Sequence, residues 1–238
     1  SAYFRPIYSI FSIYFFLSFF LNLKLTKNFL YYILFNFLLS IPALYYVFVL
    51  DINKWATSYL FRENIFTIIS LVSSILVFYL FPFIIKDYKT LSQKMTNIKS
   101  IFLSFISFIL LIFFFEYNRD YSGGIILKFS NLIFNNYYLF FLISALCITS
   151  IYILFFYEKN KIIIFDIVIL LLLFFLEIDG VIYHETFDPL IYILIFLIFK
   201  NNYINNFVKE LSLKKFILLK FFVFSFYIAS IIKTHIIV

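Results

Sequence analysis

Stretches of about 15 to 22 residues with almost no charge recur from one end of this chain to the other. Wound as an α-helix rising ~1.5 Å per residue, a run of that length approaches the ~30 Å hydrocarbon core of a bilayer. A soluble fold has no use for so many. Hydrophobic residues make up 65% of the chain and mean hydropathy is +1.05, leaving too few polar residues to cover a globular surface. The runs read as eight helices, Ile7–Leu23, Phe29–Leu50, Ile65–Ile85, Ile101–Phe115, Tyr137–Tyr157, Ile162–Leu176, Tyr183–Phe199 and Phe216–Ile232. The pair flanking Glu177–Asp188 is also open to a partly re-entrant reading. No fixed-period repeat and no Pro/Gly/Ser linker divides residues 1–238. The expectation is an all-α integral membrane protein with one polytopic helical domain.

The connections between these runs sort into two sets. Segments 24–27, 86–99, 158–161 and 200–215 hold 12 of the 19 Lys and Arg but only three of the 12 acids. They follow the first, third, fifth and seventh runs, so they share a side, the cytoplasmic one by the positive-inside rule. The amino terminus then faces outward. Because the lysines gather at span ends, the net charge of +7 does not point to nucleic acid. The opposite set holds Asp51, Glu63, Glu116, Asp120, Glu177, Asp179, Glu185, Asp188, His184, His235 and all three glycines. The lone Cys147 lies inside an apolar run, which excludes an internal disulfide and reads as a small buried hydrophobe. The high Phe, Tyr, Ile, Lys and Asn content suits AT-rich coding and carries little functional weight. Ser1 opens the chain where a Met is usual, and a preceding amino-terminal portion is expected.

Three outward clusters carry candidate chemistry. The densest runs from Glu177 to Leu190, with Asp179, Tyr183, His184, Glu185 and Asp188. On a helix, positions 184 and 188, or 185 and 188, share a face. Charged groups near membrane depth line cavities or pair with cations. Asp179, His184, Glu185 and Asp188 are therefore candidate ligands for a divalent cation, or contacts for a phosphate-bearing substrate. The same composition suits a solvated hairpin whose charges simply stop two helices. The second cluster is Arg62-Glu63-Asn64-Ile65. Its Arg offers a planar fork for phosphate, or an interfacial cation beside Glu63. The third is Glu116 to Gly124, with Arg119, Asp120, Gly123 and Gly124. Its glycines permit a sharp turn or close ligand approach, and Arg119–Asp120 is equally a surface ion pair. Residues 125–136, broken by Lys128, Ser130 and Asn131, read as a short helix lying in the interface. Asp166, the one acid within a span, lies near Lys159 and Lys161 and is expected to snorkel to the cytoplasmic surface.

Arg62-Glu63-Asn64-Ile65, Gly123-Gly124-Ile125 and Tyr183-His184-Glu185-Thr186-Phe187-Asp188-Pro189-Leu190 occur in that order. The order resembles polytopic GT-C glycosyltransferases. It is most similar to the dolichyl-phosphate-glucose-dependent alpha-1,2-glucosyltransferase family, where Arg-Gln-Thr-Asn-Ile opens a span and Asn-Gly-Gly-Ile follows. Phe4-Arg5-Pro6-Ile7 also resembles the Leu-Arg start of a span in that superfamily. Glu63 replaces the family's Gln-Thr, a His-containing run after the Gly-Gly is absent, and the Pro42–Arg62 interval is shorter.

The resemblance implies sugar transfer from a polyprenyl-phosphate donor to a glycan or lipid-linked acceptor on the periplasmic or lumenal face. The membrane would be the bacterial inner membrane or the endoplasmic reticulum. It implies Arg62 as a phosphate contact, with Glu63, Asn64, Arg119, Asp120 and Tyr183 in the binding region. The Gly123-Gly124 loop would shape the cleft, and His184, Glu185 and Asp188 would hold acceptor or metal. The family's catalytic carboxylate lies in a first outer loop, here expected upstream of Ser1. Two rival classes are a transporter or flippase of lipid-linked sugars and a subunit of an organellar respiratory complex. Alternating access calls for mid-span ionisable groups between repeats, and proton pumping for buried relays; the runs supply almost none.

Overall fold

A computed structural model describes residues 9–23, 26–48, 64–86, 88–117, 123–156, 163–175, 182 and 184–199. It also describes residues 204, 206, 209, 212, 213, 216–222, 224, 225 and 228. Among these, all regular structure is helical and no strand occurs. In chain order the helices are α1 (Ser9–Leu23), α2 (Lys27–Phe48), α3 (Ile65–Lys86), α4 (Tyr88–Met95) and α5 (Ile98–Phe114). They continue with α6 (Gly124–Phe134), α7 (Tyr138–Phe156), α8 (Ile163–Phe175) and α9 (His184–Ile193), which runs into a π-helical turn, Leu194–Ile198.

Within α3 and α7, Ile65–Ile85 and Tyr138–Phe156 are long and apolar enough to cross a membrane. A third crossing is counted if α4 and α5, bent by 76° at their junction, form one broken span. Eight crossings were expected, so the described helices meet the length and apolarity requirement for only part of that number. Helix α4 was expected as loop. Its sequence, Tyr-Lys-Thr-Leu-Ser-Gln-Lys-Met, is polar but turns Leu91 inward and leaves Lys89, Ser92 and Gln93 exposed. Asn97 then starts α5, its side chain accepting from the Lys99 N–H at 3.4 Å.

Helix α7 is the centre of the packing. It lies along both α3 and α5, and it is apolar round its whole circumference. Lipid is as apolar as leucine, so close van der Waals fit rather than exclusion from water holds such helices together. Small residues let the backbones approach: Ser70, Ser73 and Ser74 on α3, and Ser144, Ala145, Thr149 and Ser150 on α7, are all buried. Several of their hydroxyls are satisfied within their own helix. Ser70 donates to the Thr67 carbonyl at 2.8 Å, Ser74 to Leu71 at 2.7 Å, and Thr149 to Ala145 at 2.9 Å. Between these small residues sit fully buried Leu71, Ile75, Leu76, Phe140 and Phe155.

The exterior is apolar too. On α2, Leu34 and Phe35 are 59% and 61% exposed, with Leu30, Tyr31, Phe37 and Leu38 similarly uncovered. A continuous apolar surface of this kind suits lipid rather than water. Pro42 and Pro82 lie inside α2 and α3, as read from the sequence. Helix α6 is 11 residues, about 16 Å, too short to cross a bilayer. Its buried Gly124, Leu127 and Ser130 face inward while Phe129, Leu132 and Phe134 are exposed.

Candidate functional site

The end of the molecule where α3 begins and α5 finishes is laced together by side chain to backbone hydrogen bonds. Asn64 immediately precedes α3, and its side-chain oxygen accepts from the Phe66 N–H at 3.2 Å. That is the bond an Asn N-cap supplies to a helix whose first N–H groups lack partners. The same side chain donates from Nδ2 to the Phe114 carbonyl, the last residue of α5, at 3.0 Å. At buried Thr67, the hydroxyl accepts from the Glu116 N–H at 3.1 Å and donates to the Glu116 carbonyl at 3.3 Å. The backbone of Glu116 is thus satisfied where the chain leaves α5, and its side chain is exposed.

The neighbouring residues extend this joint. The Phe115 ring packs against Tyr137, Phe140 and Phe141, with centroids 5.6, 5.2 and 5.2 Å away. Tyr117 is buried, and its carbonyl accepts from the Tyr137 hydroxyl at 3.4 Å. Ser130 on α6 donates to the Asn136 carbonyl at 2.9 Å and accepts from the Phe140 N–H at 3.1 Å. That hydroxyl fixes the short helix α6 against the start of α7.

Gly123 and Gly124 have φ of +90° and +81°, a region only glycine enters freely. Space also demands them. A Cβ at 123 would collide with Leu127 and come within 2.8 Å of the Tyr117 ring. One at 124 would sit 3.1 Å from Ile75 Cγ1. The Gly123 N–H donates to the Ile182 carbonyl at 2.9 Å, tying this loop to the residue two before α9. The described parts of all three sequence clusters are thereby linked. Asn64 reaches Phe114, Thr67 reaches Glu116, the space beside the Tyr117 ring is kept open by Gly123, and Gly123 reaches Ile182.

Helix α9 begins at His184, and the buried Ile182, Phe187, Leu190 and Ile191 anchor it. Its helical backbone puts positions 184 and 188 one turn apart and 185 and 188 three apart, the register read from the sequence. The side chains of His184, Glu185 and Asp188 lie outside the described parts of the structure, as do Arg62, Glu63, Arg119, Asp120, Asp179 and Tyr183 altogether. Among the described residues, no group of three or more His, Cys, Asp or Glu could hold a metal ion. The four expected ligands are not in that set.

Two residues stand differently from expectation. Asp166 is wholly buried in the first turn of α8 instead of snorkelling to the surface. A helix N-terminus, with its partial positive charge, is a favourable place for an acid. Thr67, not singled out in the sequence, makes both bonds to Glu116. A hydroxyl within an apolar run, three residues after a helix-capping Asn, was the signal that could have found it. No protein-family model, curated protein or solved structure matches this chain.

Proposed function

We propose that this chain is a polytopic membrane glycosyltransferase that moves a sugar from a polyprenyl-phosphate donor to an acceptor hydroxyl on the extracytoplasmic face. The supporting observation is the hydrogen bond from Gly123 to Ile182. It ties the Gly123-Gly124 segment to the residue immediately before the Tyr183–Leu190 segment, and the third segment is held at the same end by the bond from Asn64 to Phe114. Lysine-rich connections, on this reading, face the cytoplasm, and eight helices cross the membrane.

In the proposed reaction the acceptor oxygen attacks the anomeric carbon of the donor sugar. The bond from that carbon to the phosphate oxygen breaks, the lipid phosphate departs, and a carboxylate takes the hydroxyl proton. Arg62 stabilises the charge developing on the phosphate, with Glu63 and Asn64 at the same helix mouth. Arg119, Asp120 and Tyr183 flank the cleft shaped by Gly123 and Gly124. His184, Glu185 and Asp188, with Asp179, bind the acceptor or a divalent cation. Loss of one such phosphate contact lowers transfer by about 100-fold or more, on the order of 3 kcal/mol of transition-state stabilisation. The test is Arg62→Ala in purified, reconstituted protein supplied with polyprenyl-phosphate sugar. Unchanged transfer and unchanged donor binding would remove Arg62 from the site.

A second reading, a carrier of lipid-linked sugars, is favoured by one observation, the complete burial of Asp166. Ionisable groups enclosed within membrane helices often serve transport. Loss of lipid-linked sugar movement across vesicles in Asp166→Asn, with no transferase activity in the unsubstituted protein, would support it.

A further inference from the structure

A groove of about 460 Å³ runs between α5 and α7, within the ~300–1,000 Å³ span of small-molecule sites. Its walls are apolar: α5 contributes Phe105 and Phe108, and α7 contributes Leu142, Ala145 and Leu146. Phe105 is 61% exposed and Leu142 51%, so the groove opens sideways toward the surroundings rather than into the bundle. Ser100, in the first turn of α5, also lines it. Ser100 is 1% exposed, and its hydroxyl has no hydrogen-bond partner among the described residues. Leaving a buried hydroxyl unpaired is unfavourable; the Oγ is enclosed in this conformation, and rotation about χ1 toward the groove would let an acceptor oxygen there satisfy it.

Charge is concentrated at the same end. Met95, a further lining residue, follows Lys94, and Ser100 follows the exposed Lys99. Segment 86–99 contains four lysines against the single acid Asp87. Helix α4 carries Lys89 and Lys94 and turns 76° from α5, the attitude of an amphipathic helix lying along a membrane surface beside a helix that enters it.

From these three features in sequence we infer that the groove is a binding site for an anionic phospholipid. One acyl chain lies between α5 and α7, a glycerol ester oxygen accepts from Ser100, and the phosphate sits beside Lys99 and the lysines of α4. A lipid tail alone would fill apolar walls without regard to headgroup. The unpaired hydroxyl favours a glycerolipid over a bare hydrocarbon chain, and the lysines select an anionic headgroup over a zwitterionic one. This site is at the opposite end of α5 from the Asn64–Glu116 joint and stands apart from the proposed transferase chemistry.

The test reconstitutes the full chain in phosphatidylcholine vesicles carrying a diazirine-acyl phosphatidylglycerol or the matching phosphatidylcholine probe. Photolabelled peptides are then mapped by mass spectrometry. The phosphatidylglycerol probe should label Ser104–Phe108 and Leu142–Leu146 at least roughly five-fold more than the phosphatidylcholine probe, since each lysine at a membrane surface favours anionic lipid by about that factor. The triple variant Lys89→Gln/Lys94→Gln/Lys99→Gln should bring the two probes to parity. Ser104→Trp should abolish groove labelling by both while leaving labelling at Leu34 and Phe35 on α2 unchanged. Equal labelling by the two probes in the unsubstituted chain would overturn the proposal, as would groove labelling no stronger than that on α2.

Discussion

The Gly123 N–H lies 2.9 Å from the Ile182 carbonyl, a bond between residues 59 positions apart that ties the loop before α6 to the entry of α9. It depends on a backbone conformation that only glycine takes without strain. The first prediction is therefore that Gly123→Ala destabilises the protein by at least about 1–3 kcal/mol, with the collision against Leu127 and Tyr117 adding to the φ penalty. Thermal unfolding of the detergent-solubilised chain measures it. The sign is diagnostic, because Gly→Ala at an unstrained position stabilises by reducing the freedom of the unfolded chain.

Thr67 is predicted to matter through its hydroxyl. Thr67→Val keeps the shape but leaves the Glu116 N–H without its partner, at a cost of about 1–3 kcal/mol. Thr67→Ser retains both bonds and should lie much closer to the unsubstituted protein. Hydrogen exchange at the Glu116 amide should accelerate in the Val variant only.

Asn64 has two separable roles. Asn64→Ala removes the helix cap and the bond to Phe114 together, and should cost about 0.5–2 kcal/mol for the cap alone. Asn64→Asp keeps the capping oxygen and loses the Nδ2 donor. Its melting temperature should fall between those of the Ala variant and the unsubstituted chain. An Asp variant as unstable as Ala would mean the cap contributes nothing.

Asp166 separates the two functional readings. Asp166→Ala should destabilise by about 1–3 kcal/mol, because the acid is fully enclosed and its interactions are lost. Under the transferase reading, Asp166→Asn leaves the catalytic rate of the folded fraction unchanged. Under the carrier reading it stops lipid movement.

Much of the helical layout was legible because polar and charged residues punctuate it. Tyr138–Phe156 is bounded by Asn135-Asn136 on one side and Glu158-Lys159 on the other, and lies within the Tyr137–Tyr157 run. Helix α4 was hidden for the opposite reason. Eight mostly polar residues with one buried leucine give no apolar run, and only packing shows that the segment is helical. At the candidate site, Gly123-Gly124 could be read as a turn, since that role is written in the residue type, whereas Asn64 was read only as a binding residue and its capping of α3 was missed. That Gly123 would meet Ile182, or Thr67 meet Glu116, could not be read, because such pairings depend on how α3, α5 and α9 pack. Asp166 was misread because proximity in sequence to Lys159 and Lys161 suggested a route to water that tertiary burial closes.

The most direct measurement is sugar transfer by the purified chain in vesicles, using a radiolabelled polyprenyl-phosphate hexose and a lipid-linked glycan acceptor. Catalysed transfer with the donor and acceptor on the proposed extracytoplasmic face, falling by about 100-fold or more in Arg62→Ala, is the predicted result. Intact, folded protein that binds neither the donor nor its lipid phosphate and transfers no sugar, across a panel of hexose donors, would contradict it.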